Sequence, residues 1–335
     1  MPVGTLVPRR VVATVVLVCV LLGAAMSAPA AGAQDEALLS REAALDALRA
    51  YEQENARNNA GLGVEGQGAV ELPPIKLIDD ATFHELRNRH QSLGPQGRVI
   101  ERRVVVPRQT AYPLQFIAAE RIRFDGGEAA SQLLLFDRAT ANDDWKVSSA
   151  AQLDADAIPP FAVDAAGYAA PLDADHAAAL KLAPEAVAAA LADVWTRSDP
   201  DAPITSELFE SGPLTTGAVS RLVDKLASTG IEGDVDFGFE PAPYPVVTYR
   251  LERGRALVMF ALAIHETIRP ADSGERLVQP KSRATFGGLV VPGRYSTVGY
   301  ERLALLTAVV PRAGAPTRVR IVGSYTGLVS ASTTP

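Results

Sequence analysis

The chain contains very little cysteine and histidine, and this scarcity excludes several chemistries. Its 335 residues include one cysteine, Cys19, and four histidines. Cys19 lies in an apolar segment near the N-terminus, so the rest of the chain has no thiol for a disulfide, a nucleophile or a thiolate metal site. Basic residues are also fewer than acidic ones, 32 against 39, which gives a net charge of −7. That balance disfavours binding to the phosphate backbone of nucleic acids.

Residues 1–33 have the pattern of a secretory signal peptide. Two arginines precede an apolar run of 15 residues from Val11 to Ala25, and small residues occupy positions 31–33. We therefore expect cleavage before Gln34 and a secreted or extracytoplasmic protein of 302 residues. The alternative is an uncleaved anchor formed by residues 11–30, since about 20 apolar residues span a bilayer.

The first half of the remaining chain predicts helices followed by antiparallel strands. Apolar side chains recur at helical spacing from Glu36 to Asn58, and Asp80–Arg87 predicts a second, shorter helix capped by Asp79 or Asp80. A strand pattern begins at Arg98, and the clearest strands lie between Gln115 and Val147, separated by Gly, Asn and Asp turns. The glycines from Gly61 to Gly68 indicate a surface loop.

The second half repeats this order after a proline-rich connector. Residues 159–171 are rich in Ala, Gly and Pro and predict a linker between domains. Helical patterns follow at His176–Trp195 and Leu214–Ser228, and strand patterns continue to Val329. The sequence therefore predicts an α+β fold with two tandem domains, residues 34–158 and 172–335, each with helices packed on a curved antiparallel sheet.

Several motifs resemble those of known families. The order of elements, closing on Trp145-Lys146-Val147, resembles the nuclear-transport-factor-2-like and cystatin-like folds. More narrowly, the chain resembles a family of exported actinobacterial proteins that carry a domain of unknown function. The matching segments are Tyr51–Asn59, Ile78–Thr82, Val106–Pro113, Phe116–Ala119, Leu133–Phe136 and Trp145–Val147. The resemblance implies a fold and an exported location, and it brings no catalytic residue or cofactor.

Two histidines are the candidate catalytic residues. His265 shares one face of a predicted strand with Met259, Ala261 and Ala263, where it could reach a pocket and act as an acid or a base. His84 is the weaker candidate. Its neighbour His90 is six residues away, whereas a zinc-protease helix requires four. Partly exposed histidines without a chemical role are the simpler interpretation of both.

No metal site or cofactor site is predicted. The pairs Asp154/Asp156, Asp173/Asp175 and Asp234/Asp236 have the first spacing of a calcium loop but none continues as one. We therefore expect a non-enzymatic exported module that binds an envelope protein or a small apolar ligand. One alternative is a small-pocket acid/base enzyme of isomerase or dehydratase type that uses a histidine. Another is a membrane-anchored scaffold component of an envelope complex.

Overall fold

The computed structural model describes residues 37–94, 97–127, 129–154, 160–199, 205–227, 233–271, 277–278 and 294–335. The predicted signal peptide, its cleavage point and the alternative anchor at residues 11–30 lie outside these ranges. None of the helices in the described part is long and apolar enough to cross a membrane.

Three helices open the described chain: α1 (Arg41–Gly61), α2 (Val64–Val70) and α3 (Ile75–Asn88). The Ser40 hydroxyl accepts a hydrogen bond from the Ala43 amide, which satisfies one free donor of the first turn, so α1 starts later than expected.

The predicted glycine loop is wrong, because most of it forms α2. The predicted cap at Asp79 or Asp80 is also wrong, since α3 begins five residues earlier, after Pro74.

Four antiparallel strands follow, as the sequence predicts: β1 (Arg98–Val105), β2 (Leu114–Arg123), β3 (Ala129–Arg138) and β4 (Lys146–Asp154). Successive side chains alternate between the faces of the sheet. Phe116 and Phe136 stack at 4.5 Å on the face that the first helices cover. Ile117 and Leu135 lie on the opposite face and belong to a second cluster of buried side chains.

The second half contributes short helices and long strands. Its helices are α4 (Ala174–Ala178), a 3-10 turn (Pro184–Ala186), α5 (Val187–Thr196) and α6 (Ala218–Ala227). Pro184 begins the 3-10 turn that leads into α5, so the helical pattern over His176–Trp195 is divided there, at the proline that the sequence marks as either the start of a second helix or a kink. The strands are β5 (Asp234–Pro241), β6 (Val247–Leu251), β7 (Arg255–Arg269), β8 (Leu277–Val278), β9 (Arg294–Tyr295), β10 (Thr297–Val310) and β11 (Arg320–Thr334).

The two halves share one sheet, and the predicted fold of two tandem α+β domains is wrong. Nine strands form a single antiparallel sheet in the order β1-β2-β3-β4-β11-β10-β7-β5, with β6 also paired to β7. The junction lies where Gly323 and Ser324 of β11 pair with Leu153 and Gln152 of β4. A separate first sheet would leave β4 as an unpaired edge, and β11 pairs with part of that edge.

Helices cover the sheet in two places. Leu48, Tyr51 and Ile78 of the first helices pack on Phe116 and Phe136. A separate cluster forms from α5, with Val187, Leu191 and Trp195, against Val258, Phe260 and Leu306 of the long central strands. Those strands are apolar on both faces because both faces are covered.

Candidate functional site

An apolar cavity of about 270 Å³ is lined by strands from both halves of the sheet. That volume exceeds the ~150 Å³ cavity that accommodates benzene and approaches the ~300 Å³ lower bound of usual ligand pockets. Most of its wall is apolar. The wall is formed by proline-rich turns (Pro73, Pro74, Pro113, Pro245), by Leu72, Leu135, Val247, Met259, Phe260 and Leu305, and by the polar groups of Gln115, Asp137, Ser148, Ser149 and Tyr244.

A β-bulge aims polar groups into this cavity. Leu135 pairs with Ser149, and the next residue of β3, Phe136, pairs with Val147, so Ser148 is an extra residue in β4. Bulges of this kind bend a strand and redirect a side chain. Here the Ser148 hydroxyl donates a hydrogen bond to Asp137 Oδ2.

Gln115 supplies the second hydrogen bond to this carboxylate. It lies directly opposite Asp137 on β2, and its side-chain amide donates to Asp137 Oδ1. Burial raises the pKa of Asp137, while the hydrogen bonds from Ser148 and Gln115 act in the opposite direction. A carboxylate oxygen has two lone pairs, so each oxygen can still accept a bond from a ligand. The cavity thus offers an apolar chamber with one oriented acceptor.

The structure places the two candidate histidines away from this cavity and on different elements. His84 is exposed on α3. His265 lies on β7 between the neighbouring strands, with Nε2 3.3 Å from Glu240 Oε1 and Nδ1 4.0 Å from Glu301 Oε1. All three side chains are exposed. The fraction open to solvent is 44% for His265, 66% for Glu240 and 59% for Glu301. A carboxylate is therefore within reach of His265, but the enclosing apolar cavity that an acid/base site needs does not surround it.

The aspartate pairs have ordinary roles where the structure describes them. Asp173 caps α4 by accepting a hydrogen bond from the His176 amide. Asp236 forms an ion pair with Arg269 on the neighbouring strand. Asp156 lies outside the described residues. Within the described ranges, His, Cys, Asp and Glu side chains do not converge in groups of three or more that could hold a metal ion.

Sequence reasoning missed the polar residues of the cavity. Asp137 ends a clear strand pattern, and an acid at a strand end is normally interpreted as a turn residue. A bulge leaves no composition signal, so nothing in the sequence marked Ser148 as its partner. The prolines of the wall, Pro73, Pro74, Pro113 and Pro245, lie far apart in the sequence and come together only in the fold.

Comparison with known proteins identifies a family. Residues 36–333 match the model of a family described as a domain of unknown function (DUF8094). The chain belongs to this family. The DUF8094 match covers both halves of the shared sheet, in keeping with the continuous strand order. No curated protein matches the chain.

One solved structure shows a weak similarity to the DUF8094 chain. It is the dehydratase domain from the CurK module of curacin polyketide synthase, with 9% sequence identity, 77% of this chain and 83% of that chain covered, and a TM-score of 0.10. A score this low supports no conclusion about fold or activity. The site is therefore interpreted from its own geometry.

Proposed function

We propose that this DUF8094 protein is an exported, extracytoplasmic binding module that holds a small, largely apolar molecule in the Asp137 cavity. The observation that carries the proposal is the cavity itself, an apolar chamber of about 270 Å³ with a carboxylate fixed by two hydrogen bonds in its wall. Apolar pockets with a few oriented polar groups are the usual form of small-molecule sites.

The apolar wall favours a ligand whose main part is apolar, and Asp137 favours a hydrogen-bond donor at one end of that ligand. A hydroxyl or amine on the ligand donates to the carboxylate, and the remaining atoms fill the space lined by Leu135, Met259 and Leu305. Among the described residues of that wall Asp137 is the one carboxyl group, so a pair of carboxyl groups that could act as acid and base does not form there. This geometry favours binding over catalysis.

The exported location rests on the leader pattern of residues 1–33. The same pattern and the family resemblance support an actinobacterial cell envelope as its setting. The alternative role as an anchored scaffold needs a broad exposed apolar surface. In the described part, the large apolar side chains that are exposed are Leu38, Leu77 and Val163, which belong to three different segments.

The test is intact-mass and native mass spectrometry of the full chain, purified from a host that exports it. We expect a mature form beginning at Gln34 in the medium and a bound small molecule that is released on denaturation. A full-length chain confined to the membrane fraction, without a bound small molecule, would contradict the proposal.

A matched pair of variants locates the ligand. Val247 of β6 lines the cavity and pairs with Met259, so Val247→Trp fills the chamber and should abolish the bound mass. Thr248→Trp introduces the same ring one residue later, where the side chain points to the opposite face of the strand. It should retain the ligand. Equal retention by both variants would place the ligand elsewhere.

A further inference from the structure

A second, polar cleft lies between the first helices and the sheet, separate from the Asp137 cavity. It consists of two adjoining recesses of about 320 and 280 Å³. Five residues belong to both recesses, namely Tyr51, Asn55, Asn59, Gln132 and Gln152. The shared wall makes them two ends of one continuous cleft, and its middle is formed mostly by side-chain amides.

The helix and the sheet each contribute a row of polar side chains. Tyr51, Asn55 and Asn59 recur every four residues, so they lie on one face of α1. On the sheet, Glu120, Gln132 and Gln152 lie directly opposite one another on β2, β3 and β4. Cross-strand partners share a face, which places this row toward α1.

At each end of the cleft, a carboxyl group in the wall shares a hydrogen bond with a second carboxyl group. At one end Glu120 is paired with Glu52, which also receives two hydrogen bonds from Arg102, at 2.6 and 2.8 Å. At the other end Asp79 lines the cleft and is paired with Glu71, which is 1% exposed and not part of the wall. A hydrogen bond between two carboxyl groups requires that one of them keep its proton.

Burial and hydrogen bonding together decide which carboxyl group keeps that proton. Burial raises the pKa of Glu71 to about 9, with the charge of Asp79 adding to the effect. Burial also raises the pKa of Asp79, but the hydrogen bond from Tyr325 acts in the opposite direction. At the other end, burial raises the pKa of Glu120 to about 8, with Glu52 adding and Arg102 opposing. At neutral pH the cleft therefore stores two exchangeable protons.

Hydrogen bonds hold these groups in fixed positions. The Tyr51 hydroxyl donates to Glu71 Oε1 at 3.2 Å, and the Tyr325 hydroxyl donates to Asp79. The Gln67 amide donates both to Glu71 and, at 3.1 Å, to Asn55 Oδ1. The carboxyl pairs are consequently preorganised rather than mobile surface acids.

An unfilled acceptor points to a ligand. Glu120 is 3% exposed and lines the cleft. No donor in the described part of the chain bonds to its Oε1. A buried carboxyl oxygen without a donor is costly, and a ligand that supplies an N–H group would remove that cost.

We propose that this cleft binds a small linear organic cation with an amino group at each end. One ammonium group bonds to Glu120 and Glu52, and the other bonds to Asp79, the member of the second pair that lines the cleft. The amide oxygens of Asn55, Asn59, Gln132 and Gln152 accept the remaining N–H donors, and the rings of Tyr51, Phe83 and Tyr325 face the cation. The carboxyl groups lie in pairs at two ends, whereas a metal ion needs a larger converging set.

Binding of such a dication displaces the two stored protons. The titratable and charged groups that face the cleft or act on its carboxyl groups are Arg49, Tyr51, Glu52, Glu71, Asp79, Asp80, Arg102, Glu120 and Tyr325. When Glu71 and Glu120 are protonated, both are neutral. The negative charge of Glu52 is then balanced by the positive charge of Arg102, and the charge of Asp79 remains. Loss of the protons of Glu71 and Glu120 makes the site more negative, so cation binding should strengthen as the pH rises.

Isothermal titration of the full chain with putrescine tests this proposal. We expect saturable binding that releases protons, detected as a binding enthalpy that changes with the ionisation enthalpy of the buffer. The affinity should increase at least tenfold from pH 6 to pH 9. The neutral isostere 1,4-butanediol and tetramethylammonium, which has no N–H donor, should not bind.

Conservative variants test whether the carboxyl groups of the cleft bind putrescine. Glu120→Gln and Asp79→Asn keep the side-chain shape, and each should weaken putrescine binding at least tenfold. Glu65→Gln removes an exposed charge from α2 and should leave the affinity unchanged. The proposal fails if putrescine does not saturate, if neither cleft variant weakens it, or if Ca²⁺ competes with it at equal concentration. Val247→Trp should leave this binding intact, which separates the result from the Asp137 cavity.

Discussion

Ser148 donates a hydrogen bond to the Asp137 carboxylate from the extra residue of a β-bulge. The two residues lie on neighbouring strands, and regular pairing would not give Ser148 this position. The bulge therefore creates the polar point of an otherwise apolar cavity. Removal of either partner should change both the stability and the binding properties of the protein.

The contribution of this bond to stability can be measured with a serine pair. Ser148→Ala leaves one oxygen of a part-buried carboxylate without its donor, and we expect the free energy of unfolding to fall by about 1.5–3 kcal/mol. Ser149→Ala is the control, because Ser149 lines the same cavity without a bond to Asp137. Its effect should stay within about 0.5 kcal/mol. Chemical denaturation of both variants gives the comparison, and equal losses would contradict this role of Ser148.

Stability should fall as the pH rises through the slightly alkaline range. In the folded protein the pKa of Glu71 is raised to about 9 and that of Glu120 to about 8, mainly by burial. Both groups ionise near their ordinary value when the chain unfolds, so the folded state binds more protons at neutral pH. The stabilisation is fully present below about pH 4.5 and is lost as the pH passes through about 8 to 9. Thermal unfolding followed from pH 5 to pH 9.5 measures this, and a flat or rising midpoint would contradict it.

Glu71→Gln should remove part of this pH dependence. Glutamine has the shape and donor capacity of the protonated acid, so it can still donate to Asp79 and accept from Tyr51. The variant should match the natural protein at pH 5 and unfold about 4 °C or more higher at pH 9. Glu54→Gln, at an ion pair on the surface of α1, should not show this difference.

Gly323 is the residue on which the continuous sheet depends. A Cβ atom there would lie 2.7 Å from the Gln152 carbonyl oxygen and 2.8 Å from Leu153 Cγ of β4. Gly323→Ala therefore forces β11 and β4 apart at their only paired segment in the described chain, at a cost of about 1–3 kcal/mol. Gly126→Ala is the control, because a Cβ atom at Gly126 meets nothing within 4 Å. Denaturant midpoints compare the two, and an unaffected Gly323→Ala variant would contradict the importance of this junction.

The sequence was informative about local structure and much less so about pairing. The strands predicted between Gln115 and Val147 were confirmed as β2, β3 and the start of β4, because alternation and β-branched residues are local signals. The contact of Leu153 with Gly323 joins residues far apart in the chain, and no local pattern encodes it. Two tandem domains were the simpler interpretation of a repeated element order, and the junction overturned it.

The functional sites were also predicted only in part, for the same reason. Histidines attracted attention because their chemistry is recognisable from residue type alone, yet His265 lies on an exposed face. Asp137 lies near the end of an ordinary strand pattern, and Glu120 lies within one. Both are buried by elements from other parts of the chain, and this burial raises their pKa values. Burial of this kind becomes visible only when the helices are placed on the sheet.

Met259 provides the most direct test of the apolar cavity. It lines the chamber and is the single methionine after residue 26, so its ¹³C-labelled methyl group reports on the chamber by NMR, with Met259→Leu to assign the signal. We predict that toluene and p-cresol both shift this resonance saturably, with p-cresol binding more tightly because its hydroxyl donates to Asp137. A resonance that stays unchanged at high concentrations of both probes would contradict the central claim that this cavity is a binding site.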